Sequence, residues 1–268
     1  VVALLEAHQV SKTFGGLRAV DAVDFAVPEG TIVGIIGPNG AGKTTFFNVI
    51  ARLYPATAGQ ITFRGEDVTK LPAHDMAPRG LARTFQATTL FTEATALESV
   101  MIGCTHRMQS RLWDVLARTR RFVREDRESR DAAREALAIV GLAAAADRRV
   151  TGLSQEQQKR LAIALALASR PRLLLLDEPF AGINAEQMRG LADLIESIAR
   201  SGVTVCLIEH QMQVVMGLCE RVTVLNYGRK IAEGTPREIR TDPTVIEAYL
   251  GHASEKHEEQ EIHERTSN

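Results

Sequence analysis

Apolar and polar positions alternate between Val20 and Val27: Val20, Ala22, Phe25 and Val27 share one side, with Val23 interposed, and Pro28-Glu29-Gly30 breaks the pattern. A period of two predicts a half-buried strand and the break predicts a turn, so residues 1–35 read as β-rich. Thr31 to Ile36 (TIVGII) has no alternation and predicts a strand buried on both faces. A glycine-rich loop follows, then a helix from Lys43 to about Leu53. Gly59 to Phe63 and Asp67-Val68-Thr69 read as further short strands or turns. Near Gly80 the character shifts, and from Glu93 to Asp147 Ala, Arg and Glu recur with helical spacing. Ala133, Leu137 and Val140 fall on one helical face there. Residues 87–150 therefore read as a helical insert. Beyond it, Pro171 to Leu176, Val203 to Ile208 and Val222 to Leu225 predict buried strands, separated by helices near 155–169 and 185–200. Alternating strands and helices imply an α/β layer with a largely parallel sheet. The breaks divide the chain into a first core part (1–86), the insert (87–152), a second core part (153–251) and a polar tail (252–268).

Composition narrows the class. Of 268 residues, 45% are hydrophobic and 24% charged, enough apolar content for a real core. Lys and Arg number 32 against 33 Asp and Glu, so no basic excess points to nucleic acid, and no such partner is expected. The cysteines, Cys104, Cys206 and Cys219, are far apart and lack metal-ligand spacing, which fits a reducing compartment without disulfides. Cys206 and Cys219 read as small buried hydrophobes. The longest apolar run, Leu161 to Ala168, is far short of the ~20 residues of a membrane span. No secretory leader is expected, and any membrane spans would come from another chain. The acid- and histidine-containing stretch His252 to Asn268 is expected to be a solvated tail.

Candidate chemistry begins at Gly37-Pro38-Asn39-Gly40-Ala41-Gly42-Lys43-Thr44-Thr45, which fits G-x-x-x-x-G-K-[ST] in full. Phosphates need many donors converging on a small volume. Glycines turn backbone N–H groups inward, and the following helix adds its positive end. The Lys43 ammonium can reach the β- and γ-phosphates, and the Thr44 hydroxyl can ligate Mg²⁺. ATP and Mg²⁺ are thus the expected cofactors. The second site is Leu173-Leu174-Leu175-Leu176-Asp177-Glu178-Pro179, a buried strand ending in two carboxylates. A strand of an open α/β sheet delivers such residues to the ligand-binding edge. Asp177 suits Mg²⁺, directly or through water, and Glu178 suits deprotonation of an attacking water.

These motifs and their order resemble the ATP-binding-cassette (ABC) ATPases, over about residues 4–250. The resemblance implies an α/β P-loop core with an N-terminal β-subdomain and an inserted helical subdomain. In Arg83-Thr84-Phe85-Gln86 it places Gln86 near the metal and the lytic water. In Ile208-Glu209-His210 it turns His210 toward the γ-phosphate, and it makes Asn184 a D-loop residue where Asp is commoner. Leu153-Ser154-Gln155-Glu156-Gln157 stands where the family usually has Leu-Ser-Gly-Gly-Gln, the segment that meets nucleotide held by a second subunit. Ser154 can cap the following helix with Gln157 as its reciprocal partner. Glu156 adds a carboxylate near phosphate, where like charges ~5 Å apart cost ~3 kcal/mol at an effective dielectric near 20. Either the hydrolysis site is weakened or that side chain turns away.

Phe14-Gly15-Gly16-Leu17-Arg18-Ala19-Val20, the insert and the ending Gly234-Thr235-Pro236…Ala248-Tyr249-Leu250-Gly251 look like the branched-chain amino-acid importer ATPases; lipopolysaccharide-export and urea-import ATPases are similar too. In such proteins an aromatic stacks on adenine. Phe14 is the candidate, with core packing the other reading. The resemblance implies a peripheral subunit at the cytoplasmic face of the inner membrane, paired with an identical or paralogous cassette. Its other partners would be polytopic permease subunits, served by a substrate-binding protein. A soluble non-transport cassette would usually carry two cassettes or a long coiled coil. A GTPase or small-molecule kinase would leave the 153–160 and 208–210 segments without a role.

Overall fold

The computed structural model describes residues 3–84, 93–105, 110 and 112–249. Two units are formed, one from residues 1–70 and 206–268, the other from 71–205.

In the first unit, β1 (Ala3–Phe14) pairs antiparallel with β2 (Leu17–Pro28) and with β4 (Ala58–Phe63), which also pairs with β5 (Glu66–Asp67). The β-rich N-terminus is thus an antiparallel sheet ordered β2-β1-β4-β5. Val20, Val23, Phe25 and Val27 are buried along β2. Ala22 is exposed with a φ of +49°, at a register shift between Val10 and Lys12 of β1. The expected alternation therefore breaks at a bulge, and Val23 rather than Ala22 faces the core, because an extra residue reverses the phase of a strand.

The same unit holds β3 (Ile32–Ile36), buried at every position, parallel to β9 (Arg221–Asn226); β10 (Arg229–Gly234) pairs antiparallel with β9. Between β3 and β4, α1 (Lys43–Ile50) buries Phe46, Phe47, Val49 and Ile50, and Phe46 meets Phe25 edge-on at 5.5 Å. It stops three residues before the expected Leu53. Arg52 adopts a left-handed φ of +62°, and the Leu53 and Tyr54 amides turn back onto the Asn48 carbonyl.

In the second unit, α2 (Met76–Arg79) leads into β6 (Leu81–Arg83), parallel to β7 (Leu173–Asp177). The helical portion comprises α3 (Ala96–Ile102), α4 (Leu112–Leu116) and α5 (Arg120–Ile139), followed by α6 (Gln155–Leu167). Ala133, Leu137 and Val140 are fully buried, as the helical spacing requires. α7 (Ala185–Arg200) buries Leu191, Leu194, Ile195 and Ile198. The chain leaves this unit within β8 (Thr204–Ile208), whose five residues are all buried. α8 (Met212–Leu218) and α9 (Pro236–Thr241) complete the first unit. The three cysteines are buried and unpaired by disulfides. Burial raises the Cys206 thiol pKa and pushes that of Cys219 up to about 12, so both stay inert hydrophobes. Among the described residues no helix is long and apolar enough to cross a membrane. The 252–268 tail lies outside the described residues.

Candidate functional site

The glycine-rich loop connects β3 to α1. Gly37 has a φ of +152°, and a Cβ there would stand 2.1 Å from the Leu225 carbonyl oxygen. Gly42, at +90°, is the N-cap of α1, and a Cβ there would stand 2.3 Å from the Ala19 oxygen. Only glycine meets both demands, a left-handed backbone and direct backbone approach. The loop is pinned outside as well as within. The Gly228 amide donates to the Ala41 carbonyl at 3.0 Å, and the Asp21 amide donates to the Gly228 carbonyl at 2.8 Å. Lys43 is 7% exposed, and its ammonium donates to the Gly37 and Pro38 carbonyls, both at 2.8 Å. A buried ammonium with backbone partners is thereby held inside the loop. Asn39, Gly40 and Thr44 are exposed, and Thr45 is half-buried.

Two further groups border this loop. The Tyr249 hydroxyl is buried beside the Gly37 amide, and burial pushes its pKa up to about 12. At the end of β8, Glu209 is fully buried and its carboxylate accepts the His210 backbone N–H at 3.2 Å, while the Glu209 amide donates to Ile35 of β3 at 3.3 Å. The His210 ring is half-exposed. Motif spacing assigns a role to neither Tyr249 nor Glu209. Tyr249 carried a signal only as part of the C-terminal resemblance, and a carboxylate next to a histidine carries none.

In the second unit Asp177 ends β7. Arg83, 9% exposed at the end of β6, donates to Asp177 Oδ2 at 2.6 Å, and the Asp177 amide donates to Thr84 Oγ1 at 3.3 Å. These bonds fix the carboxylate at the strand terminus. Glu178 follows with a φ of +45°, a strained value for a side chain that is not glycine. The Lys159 ammonium of α6 donates to the Glu178 carbonyl at 3.1 Å, tying the start of that helix to the acidic turn.

Ser154 and Gln157 form the expected capping box: the Gln157 amide donates to Ser154 Oγ at 3.2 Å and the Ser154 amide donates to Gln157 Oε1 at 3.0 Å. Glu156 is paired one turn on with Arg160, both side chains about four-fifths buried, and Arg160 also donates to the Val140 carbonyl at 3.2 Å. Its charge is therefore met locally. The Gln155 amide rests against Gly182, and Asn184 caps α7 by accepting the Gln187 amide at 3.0 Å. Asn184 thus has a structural task that aspartate would also perform.

Phe14 is 43% exposed, meets Tyr54 edge-on at 5.6 Å and lies under the Lys12 ammonium at 4.9 Å. Core packing is excluded for it. Gln86 lies outside the described residues.

The chain that carries this loop, acidic strand end and capped helix resembles known proteins over most of its length. Residues 20–181 match the family model described as "ABC transporter". The chain belongs to this family. Residues 229–255 of this cassette match the model "Branched-chain amino acid ATP-binding cassette transporter". The cassette is 42% identical over 251 residues to the high-affinity branched-chain amino acid transport ATP-binding protein BraF of Pseudomonas aeruginosa, covering 93% of this chain and 98% of the relative. To LivG of Salmonella typhimurium, a protein of the same description, it is 41% identical with the same coverage. A crystal structure of a transporter cassette in its ADP conformation aligns with a TM-score of 0.83 at 29% identity, over 94% of this chain and 100% of that one. A dimeric cassette in a post-hydrolysis state bound to ADP and Pi aligns with a TM-score of 0.73 at 26% identity, over 87% and 99%. The expected fold class, an ABC ATPase with a P-loop core, is the one found.

The residues present fit the expected ligands. At Gly37 and Gly42 a Cβ would strike the Leu225 and Ala19 backbone, so the loop keeps conformations that only glycine allows, and the first turn of α1 offers its amides to phosphate. Mg²⁺ takes hard oxygen donors, commonly one or two from protein and the rest from water and phosphate. The Thr44 hydroxyl in the first unit and the Asp177 carboxylate in the second are each of that donor type. Among the described residues no cluster of three or more His, Cys, Asp or Glu forms an all-protein metal cage.

Proposed function

We propose that this cassette is the ATP-hydrolysing subunit of an importer of branched-chain or other amino acids. It would lie at the cytoplasmic face of the plasma membrane and work with a second cassette, membrane-spanning permease subunits and a substrate-binding protein. The observation that carries the substrate class is the match of residues 229–255 to the branched-chain amino-acid model. Those residues include Tyr249, which abuts the phosphate loop.

In this reading residues 37–45 hold the triphosphate, with the Lys43 ammonium countering the β/γ charge and Phe14 against the base. Bound Mg²⁺ would supply charge neutralisation of the phosphates. Thr44, Asp177 and Gln86 would hold it. Glu178 takes the proton of the attacking water, and its carbonyl bond to Lys159 keeps the turn in the orientation that aims the side chain. His210 faces the terminal phosphate, with its backbone steadied by Glu209. Ser154, Gln155, Glu156, Gln157 and Asn184 contact the second cassette. Closure of the pair on ATP and its opening after hydrolysis would drive the permease.

The test is affinity purification of the cassette from detergent-solubilised membranes of its source cells, followed by ATPase assay of the complex in liposomes. A polytopic permease should co-purify, and turnover should rise with a branched-chain amino acid and its binding protein. Recovery with ribosomes, or with a permease that responds to lipopolysaccharide instead, would sink the importer assignment.

A further inference from the structure

The helical unit carries a corner that its ATPase role does not require. α4 and α5 are joined through Ala117, Arg118 and Thr119, and the joint is closed tightly. The Thr119 amide donates to the Asp114 carbonyl at 3.0 Å, the Thr119 hydroxyl donates to Asp114 Oδ1 at 3.0 Å, and Thr119 Oγ1 accepts the Phe122 amide at 3.4 Å. A joint pinned this way fixes the directions of the side chains around it. Those side chains are large, apolar and exposed: Trp113 by 78%, Leu116 by 66%, Val123 by 54% and Val115 by 42%. Trp113 and Leu116 lie three apart and share a face of α4. Among the described large hydrophobic residues none is as exposed as Trp113.

Around this apolar tip the charge is positive. Arg118, Arg120, Arg121, Arg124 and Arg127 are all exposed. Between Arg118 and Arg127 only Glu125 and Asp126 are acidic. Both are already engaged, Glu125 by Arg121 at 3.1 Å and Asp126 by Arg130 at 3.5 Å. Arg118, Arg120 and Arg127 make no ion pair among the described residues; Arg124 is 3.8 Å from Glu128. On α5 the spacing of Arg120, Val123, Arg124 and Arg127 places them on one face, opposite the buried Ser129, Ala132, Ala133, Ala136 and Leu137. Asp131 follows on that outward face, flanked by the exposed Glu128 and Glu135, which lie near Arg124 at 3.8 Å and Arg170 at 3.7 Å.

Tryptophan with leucine and valine, ringed by arginine, is the composition that settles at the boundary of headgroups and acyl chains. The apolar tip buries a few side chains, and each arginine near an anionic surface adds roughly fivefold in affinity, so neither set alone would anchor a protein. We propose that the α4–α5 corner, centred on Trp113, Leu116 and Arg120, docks on an anionic lipid surface. It holds the cassette to the membrane independently of the permease. The charge complementarity decides the occupant: an apolar protein groove would be matched by Trp113 and Leu116 without a ring of solvated arginines.

Trp113 is the one tryptophan in the sequence, so its fluorescence reports on this corner alone. The full chain is titrated with vesicles of phosphatidylcholine, and with vesicles in which about one third of the lipid is phosphatidylglycerol. The expected result is a blue shift and co-sedimentation with the anionic vesicles only. Both should weaken at ~0.5 M salt, where the Debye length falls to about 4 Å. Arg120→Glu with Arg124→Glu should weaken binding roughly tenfold or more, and Trp113→Ala should reduce sedimentation, while ATP turnover stays at the parental rate. Turnover certifies that these variants are folded and separates this proposal from the ATPase assignment. An unshifted spectrum, equal binding to neutral vesicles, or full binding by the arginine variants overturns the proposal. So does loss of permease association by the same variants with vesicle binding intact, which would make the corner a protein contact.

Discussion

In the proposed function Lys43 and Glu178 have separable tasks. Lys43 is the cation inside the phosphate loop, so Lys43→Ala should abolish most ATP binding, measured by equilibrium dialysis with labelled nucleotide. Glu178→Gln keeps shape and loses basicity. It should bind ATP normally and cut turnover by ~10²–10⁴, with ATP rather than ADP recovered from the protein. Turnover within about twofold of the parent would remove Glu178 from the base role. Glu156 looked like a liability in the linear sequence, since it replaces glycine where a partner's phosphate is expected. The fold pairs it with Arg160. Glu156→Gln should therefore leave steady-state ATPase within about twofold. Arg160→Ala, which uncovers a mostly buried carboxylate, should lower it and cost about 1–3 kcal/mol of stability. Adding Glu156→Gln to Arg160→Ala should restore much of the loss, an interaction that a double-mutant cycle reads directly. If Glu156→Gln alone raises activity severalfold, the carboxylate does oppose phosphate despite its ion pair.

Elements acquire their function from how their ends are held. α1 starts at the loop because Gly42 can turn left-handed against the Ala19 carbonyl. Gly42→Ala should destabilise the first unit by at least ~2 kcal/mol, since the obstacle is backbone and cannot swing aside. Chemical denaturation monitored by circular dichroism measures this. β2 and β10 are clamped beside the same loop by Asp21, which accepts from Arg229 Nε at 2.8 Å and from Arg18 at 2.8 Å. Arg229 first, then Arg18, holds the Asp21 carboxyl below the usual carboxylate range. A depressed acid contributes stability that is whole above its unfolded pKa, about 4, and fades as pH falls through the folded value. Melting temperature should fall between about pH 5 and pH 3, and fall less in Asp21→Asn. Salt should blunt the difference, because the arginines are exposed. β6 and β7 end together at Arg83 and Asp177 for a comparable reason: an ion pair and the Thr84 hydroxyl fix where the strand stops and the acidic turn begins.

For the molecule as a whole, one phosphate loop and one capped signature segment per chain make a pair of cassettes the expected working unit. The Glu178→Gln variant offers the sharpest test. With ATP and Mg²⁺ it should elute as a dimer in size exclusion, and as a monomer with ADP. A monomer under both conditions would argue against head-to-tail pairing.

Hydrophobic patterning and motif spacing along the chain specify the order of elements and the family to which the two motifs belong. Buried strands such as TIVGII and LLLLD cannot disguise their composition, and a phosphate loop needs glycine and lysine at fixed spacing. Local caps were legible as well, because Ser154 and Gln157 act across a single turn. What lay beyond reach depended on partners distant in the chain. Arg83 meets Asp177 across 94 residues, and Tyr249 meets Gly37 at the far end of the unit. The bulge that puts Val23 in place of Ala22 depends on the register with β1. Periodicity records only what a residue's near neighbours demand. Ion pairs, register and the choice of which charge is neutralised are decided when the tertiary fold brings separate segments together.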